Sequence, residues 1–300
     1  MFRRFLRSVI DRMLLPSEIR IVNKLHSQLQ QQAKTSPETK ASQRFLYHYY
    51  RNLVVTKGYI PSLQETGFRV FSQFEEDGKL LFIFASLGIP SGTFVDIGAA
   101  DGINSNCANL ALNFGWLGVF IDGNMGNIRR GETFYREHPD SWAYPPKFIH
   151  AMVTRENIND ILKTSGIVRD VDLMSIDIDG NDYWVWDAID SITPKVVIIE
   201  THIEFGRRSI VVPYEKSYVY PGKHPHYHGA SPTAMAKMAN KKGYRLVGAN
   251  DYGFNTIYVR RGLAEDVLPE VTVETILAHP RNAEREALFE PIKDWEYLEV

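Results

Sequence analysis

The sequence predicts an α/β fold built on a mostly parallel sheet, and three observations carry that prediction. Between about residues 70 and 262, short apolar, β-rich runs recur: "TFVDIG", "LGVFIDG", "KFIHAMV", "VDLMSIDID" and "KVVIIET". Helical patterns lie between them, among them "NSNCANLALNFG", "RENINDILKTSG" and "NDYWVWDAIDS". Buried runs alternating with helices make parallel strands joined by right-handed crossovers. Second, the first run ends in a glycine-rich turn that opens a helix, as in many nucleotide-like cofactor sites. Third, "SPTAMAKMANKKGYRLVGA" reads as a helix and then a strand, and "DYGFNTIYVRR" follows after a turn too short for a helical crossover. Two strands so close pair antiparallel, so the sheet gains a reversed last strand.

In chain order, residues 1–68 read as a polar, helical extension with "QLQQQAKTSPETKAS" as a linker, 69–262 as the α/β domain, and 263–300 as a helical tail with proline interruptions. "MFRRFLRSVIDRMLL" mixes Phe2, Phe5, Val9, Ile10, Met13 and Leu14 with four arginines at near-helical spacing. Residues 1–15 therefore suit either an anionic membrane surface or packing on the domain or a partner, a second copy included. Arginines interrupt each apolar stretch there, against a secretory signal, and no run reaches the length of a membrane-spanning helix.

The 300 residues are 44% hydrophobic and 23% charged with a net charge of −2, a globular composition without the basic excess of a general nucleic-acid binder. The single cysteine, Cys107, excludes an internal disulfide and a Cys-based zinc site and fits a reducing, cytoplasmic compartment, with the cytoplasmic membrane face as the variant that residues 1–15 allow.

The turn after the first run reads Gly98, Ala99, Ala100, Asp101, Gly102, flanked upstream by Asp96. A diphosphate cofactor asks for a glycine where Ala100 stands, and two carboxylates would repel it. They suit a cofactor that is cationic where it crosses the turn; S-adenosylmethionine has a sulfonium, an ammonium and no phosphate. Asp122 ends the second run and is placed to accept from both ribose hydroxyls of an adenosine. Gly123 beside it, Ala151 and Met152 after the third run, and Asp177 complete the cofactor candidates.

A second constellation closes the fourth and fifth runs: Asp177, Asp179 and Asp182, then Glu200, His202 and Glu204. If the strand continues, Asp177 and Asp179 project to one side and Asp179 can meet Glu200 across adjacent strands. Three readings remain open. A carboxylate or His202 serves as general base; or Asp177, Asp179 and Glu200 hold Mg²⁺ or Mn²⁺; or the aspartates only cap a loop and helix, with Asp179 or Asn181 at the cap of "DYWVWDAI". Tyr183, Trp184, Trp186 and Ile189 in that helix are assigned to packing. "YPGKHPHYHGAS", with His224, His226 and His228, reads as a lid rather than a metal site, and Tyr214, Tyr220 and Tyr227 can stack on sugar faces or pack. Asn181, Tyr214, Tyr227 and His228 are the acceptor-binding candidates. In "SQFEEDG", Gln73, Glu76 and Asp77 stand either beside the cofactor turn or as a helix start.

Over about residues 70–262 the sequence resembles the FkbM-like group of Rossmann-fold S-adenosylmethionine-dependent methyltransferases. The resemblance rests on "SQFEEDGKLLFIF", "FVDIGAADG", "FIDGN", "NIN", "DLMSIDIDGNDYWVWDAI" and "VVIIETHIEFG". It implies a three-layer sandwich with seven strands ordered 3-2-1-4-5-7-6 and O-methylation of a sugar hydroxyl in a glycan, polysaccharide or glycosylated natural product. The rivals are a nucleotide-dependent oxidoreductase, disfavoured by Ala100 and the flanking acids, and a cofactor-binding or membrane-associated assembly protein with an inactive methyltransferase fold.

Overall fold

The computed structural model describes residues 35–300. The basic segment 1–15 lies outside them. Among the described residues no helix is long and apolar enough to cross a membrane. A division of the chain falls after Phe45, and Leu46–Val300 forms one compact unit, the second. Helix α1 (Pro37–Thr56) overturns part of the expected linker, because "PETKAS" forms its first turns. Ser36 Oγ accepts from the Thr39 amide, Pro37 opens the helix with its fixed φ, and Glu38 faces the positive end of the helix dipole.

In the second unit, a seven-stranded sheet runs β3 (Lys147–His150), β2 (Leu117–Asp122), β1 (Thr93–Ile97), β4 (Leu173–Ile176), β5 (Val196–Glu200), β8 (Asn255–Arg260), β7 (Tyr244–Ala249). The first five strands are mutually parallel and β8 is antiparallel to both of its neighbours. This is the expected order 3-2-1-4-5-7-6, once the short β6 (Ile210–Val211) is set apart in its own ribbon with β9 (Leu298–Glu299). The helical tail therefore ends as a strand, after α8 (Val273–Ile276) and α9 (Asn282–Glu286).

Alternation along β1 explains the layers. Phe94 packs with Phe120 and the buried helix α2 (Glu76–Leu87) on one face, while Val95 and Ile97 pack with Met174, Ile176 and Trp186 on the other. Tyr183, Trp186 and Ile189, on or just beyond α6 (Asp182–Ala188), are buried as assigned, and Trp184 is half-buried. Helices α3 (Ala108–Phe114), α4 (Met125–Glu137), α5 (Ile158–Ser165) and α7 (Pro232–Lys241) complete the cover.

At the carboxyl end of β1 the chain turns at Gly98 with φ +84°, where a built Cβ would lie 1.7 Å from the Asp177 carbonyl oxygen. No side chain fits between the two backbones. Gly98→Ala is expected to cost at least about 2 kcal/mol, from a left-handed φ plus displacement of the turn from β4. A denaturant midpoint measured against wild type checks this.

Candidate active site

Three cavities gather beside the carboxyl ends of β1, β2 and β4, the edge at which open α/β sheets bind ligands. One, of about 290 Å³, is lined by Gly98, Ala100, Asp122, Met152, Asp177 and Asp179 among others. A second, of about 250 Å³, shares Gly98, Ala100, Asp177 and Asp179 and adds Asp96, Ser105 and Gln73. The third, of about 270 Å³, adjoins the first through Asn181 and Tyr218.

Asp122 anchors the first cavity. Its Oδ2 accepts from the Ala100 amide at 2.9 Å, and its Oδ1 accepts from the Asn124 amide and Asn127 Nδ2 at 2.8 and 3.1 Å. A carboxylate has about four lone-pair positions. Three are taken, so one position remains open, on Oδ2. Gly123, Ala151 and Met152 also line this cavity, and a Cβ on Gly123 would strike Met152 Sδ at 2.2 Å. Asp101 does not face either cavity around the turn; Arg130 of α4 pairs with it at 3.3 Å. Asp96 and Asp101 flank the turn, and the charge of Asp101 is paired by a residue outside it. Arginine reaches the turn from another helix, a contact no local reading reveals. Gly102, φ +68°, packs on Phe120 beneath the turn, and Ala99 lines the second cavity.

Asp96 is buried in the second cavity and accepts a short hydrogen bond from Ser105 Oγ. Burial pushes its carboxyl up to about 6, and the Ser105 bond opposes this. The "SQFEEDG" segment serves both of its readings. Gln73 lines the cavity, while Asp77 accepts from the Val70, Phe71 and Ser72 amides and Glu76 accepts from Asn250 and Asn255.

Strand β4 stops at Ile176, and Asp179 adopts φ +54°. Asp177 and Asp179 therefore do not project from one continuous strand, as expected; the loop brings them together instead. One oxygen from each of Asp177, Asp179 and Glu200 lies within 4.8 Å of the others, the only such group of three or more potential metal ligands among the described residues. Asp182 shapes that loop, accepting from the Ile178 and Gly180 amides at 2.9 Å each. Neither Asp179 nor Asn181 supplies the helix cap: Asn181 makes no capping bond and donates instead to the Glu215 carbonyl.

Asp177 and Asp179 are exposed at the cavities and Glu200 is half-buried, while protein atoms crowd the Asp177 carboxyl. Burial, then the charges of Asp182 and Asp179, push its carboxyl up to about 8. Glu200 is held well above the usual carboxylate range by burial and then by Asp177, and its Oε2 is buried without a partner. Three carboxylates this close cannot all ionise cheaply, so the group keeps a proton near neutrality unless a cation replaces it.

His202 is not brought to this group. It is buried and neutral, with burial pushing its pKa down, and stacks edge-on against His228 at 4.0 Å. Its Nε2 lies 2.8 Å from where a Gly229 Cβ would be, outside the lining of the three cavities.

Asn181, Tyr214, Tyr227 and His228 all line the third cavity. Tyr214 Oη donates to Glu156, and Tyr227 Oη donates to the Glu296 carbonyl. Sequence reasoning missed Tyr218, Lys223 and Glu296 in the same wall. Tyr218 sits in the tyrosine-rich insertion with Tyr214, Tyr220 and Tyr227, but Glu296 arrives from the tail through the β6–β9 pairing and carries no local signal. His224 and His226 stay 5.7 Å apart, ring to ring, and His226 faces Glu204 at 3.8 Å.

No family model matches the chain, and no curated protein matches it. Solved structures similar to it include magnesium protoporphyrin IX methyltransferase from Synechocystis PCC 6803 with bound SAM, at 14% identity over 62% of this chain and 77% of that one, TM-score 0.38. Others are a putative sarcosine dimethylglycine methyltransferase from Galdieria sulphuraria (14%, 57% and 60%, TM-score 0.39) and a SAM-dependent methyltransferase from Methanosarcina mazei (12%, 57% and 93%, TM-score 0.38). At such scores the likeness carries no argument about this chain, and function rests on the site.

The carboxylate group gives a ligand-free test. A carboxyl whose folded-state pKa is raised contributes stability that is complete below its unfolded value, near pH 4, and is lost as pH rises through the folded value. Glu200→Gln removes one of the crowded charges. It is expected to raise the melting temperature at pH 8 and to give little or no gain at pH 4.5, as calorimetry at the two pH values would show.

Proposed function

We propose that the chain is an S-adenosylmethionine-dependent O-methyltransferase acting on a carbohydrate hydroxyl, the activity that the FkbM-like motifs imply. The observation that carries the reading is the meeting of two cavities across the Gly98–Ala100 turn, with Asp177 and Asp179 in both linings and a third cavity adjoining. An adenosine fits the first, where Asp122 keeps one acceptor position and Ile121 and Met152 offer apolar walls. An aminoacyl end fits the second, where the buried Asp96 suits an ammonium. A sulfonium between them would meet carboxylates, which favour a cation and disfavour a diphosphate. When bound, this cofactor supplies an electrophilic methyl group.

The chain's own residues do the rest. The aromatic third cavity holds the acceptor, and fixed orientation lowers the barrier of an in-line displacement. A carboxylate of the group formed by Asp177, Asp179 and Glu200 takes the hydroxyl proton; a base whose pKa is lifted toward the working pH is more effective. His202, behind Gly229, leaves that role to the carboxylates.

The spacing of these oxygens and the unpartnered Glu200 Oε2 favour a second reading, in which the group holds Mg²⁺ or Mn²⁺ and the ion acidifies the acceptor. Chelation separates the two. Turnover that persists in chelator supports the side-chain base, and turnover that vanishes and returns with added metal supports the ion.

The cofactor reading is tested by titration calorimetry with S-adenosylmethionine, S-adenosylhomocysteine and NAD. The first two are expected to bind and NAD to fail. Asp122→Ala should weaken S-adenosylhomocysteine by about 1.5 to 3 kcal/mol, tenfold or more. Unchanged affinity in a folded variant would remove Asp122 from the site.

A further inference from the structure

Ala100 lines the first two cavities and adopts φ +49°, in the left-handed region that costs a residue with a Cβ about 1–2 kcal/mol. Such a conformation persists only where its surroundings over-determine it. The Ala100 amide donates to Asp122 Oδ2 at 2.9 Å, so the setting of the Asp122 carboxylate is what restrains Ala100.

Asp122 is set in turn from α4. Asn127 Nδ2 donates to Asp122 Oδ1 at 3.1 Å, and Arg130 Nη2 donates to Asn127 Oδ1 at 2.5 Å. Arg130 Nε also donates, at 3.3 Å, to Oδ2 of Asp101, the residue after Ala100. Residues three apart on a helix share a face, which lets Asn127 and Arg130 act together. Their partners fix the amide's orientation. A carboxylate only accepts and a guanidinium only donates, so Nδ2 faces Asp122 and Oδ1 faces Arg130. An aspartate at position 127 would keep an acceptor for Arg130, lose the donor to Asp122 and set a like charge against it.

We propose that Asn127 and Arg130 are positioning residues for the cofactor: through Oδ1 they fix the Asp122 carboxylate, so that Oδ2 restrains Ala100 and keeps its open position at the first cavity. The inference rests on the proposed cofactor reading and deepens it, because it gives two side chains of α4 a part in binding that acts through Asp122. The Arg130 side chain is 62% exposed, so water screens its charge and its share is smaller than that of Asn127.

Two measurements on the full chain test the arrangement. Amide hydrogen exchange reads the Asp122 carboxylate without any ligand. The Gly98 and Ala99 amides donate to the Ile121 carbonyl and serve as internal controls. Asn127→Asp is expected to speed exchange at Ala100 by about fivefold or more, the worth of one hydrogen bond, and to leave Gly98 and Ala99 within about twofold. A substitution that merely loosens the turn would move all three. Titration calorimetry with S-adenosylhomocysteine reads the consequence for binding. Asn127→Asp should weaken it about tenfold in the otherwise unaltered chain and less than about twofold alongside Asp122→Ala, where no carboxylate is left to set. Arg130→Met should weaken it about two- to threefold. Should Asn127→Asp fail to fold, Asn127→Leu, which also lacks the donor, carries the same comparison. Unchanged exchange at Ala100, equal acceleration of all three amides, or the same affinity loss with and without Asp122 overturns the positioning role. If S-adenosylhomocysteine fails to bind the unaltered chain, the cofactor reading falls, and exchange at Ala100 alone decides whether Asn127 sets Asp122.

Discussion

The close passage of two backbones, at Gly98 on β1 and at the Asp177 carbonyl beyond β4, is the constraint on which the site depends. Because no Cβ stands between them, the loop after β4 comes close to the turn after β1. Two cavities then open on either side of one contact, sharing Gly98, Ala100, Asp177 and Asp179. An ordinary residue at position 98 would separate the strands where the chemistry is proposed to occur.

The second determinant is electrostatic. Asp77, Asp96, Asp177, Asp182 and Glu200 are all pushed upward by burial, which taxes the folded state. Their uses differ with their partners. Asp77 and Asp182 are surrounded by backbone amides and fix loop shape. Asp177 and Glu200 face each other and Asp179, so their cost is relieved only by a proton or a bound cation. The contrast follows from donors: a carboxylate ringed by N–H groups is structural, and one ringed by other carboxylates is available for chemistry.

Much of this was legible in the sequence because it is local. The strand runs, the reversed last strand and the Gly98 turn follow from pattern, whereas Asp177, Asp179 and Glu200 meet through the loop after β4 and not through the continuous strand that the pattern suggests. What was not legible arises from contacts between distant segments. "SIDID" reads as continuous strand, yet β4 ends at Ile176 because Asp182 captures the Ile178 and Gly180 amides. Asp101 looks free until Arg130 arrives from α4. Tyr218 is one tyrosine among several until Gly180 and Gly222 make room for it. "PETKAS" has loop composition, but Ser36 and Pro37 start a helix there.

The network behind the second cavity bears on how the molecule reaches its folded state. Glu76 receives Asn255, 179 residues away, and Lys79 reaches Asp251 and the Ala249 carbonyl across 172 and 170 residues. Asn255 in turn lines the cavity beside Asp96. Contacts this remote in sequence form only after large loops have closed, which slows folding and places them late. The cavity wall is therefore a property of the finished sheet, and a chain that stalls before β7 and β8 dock has its glycine turn without the complete pocket.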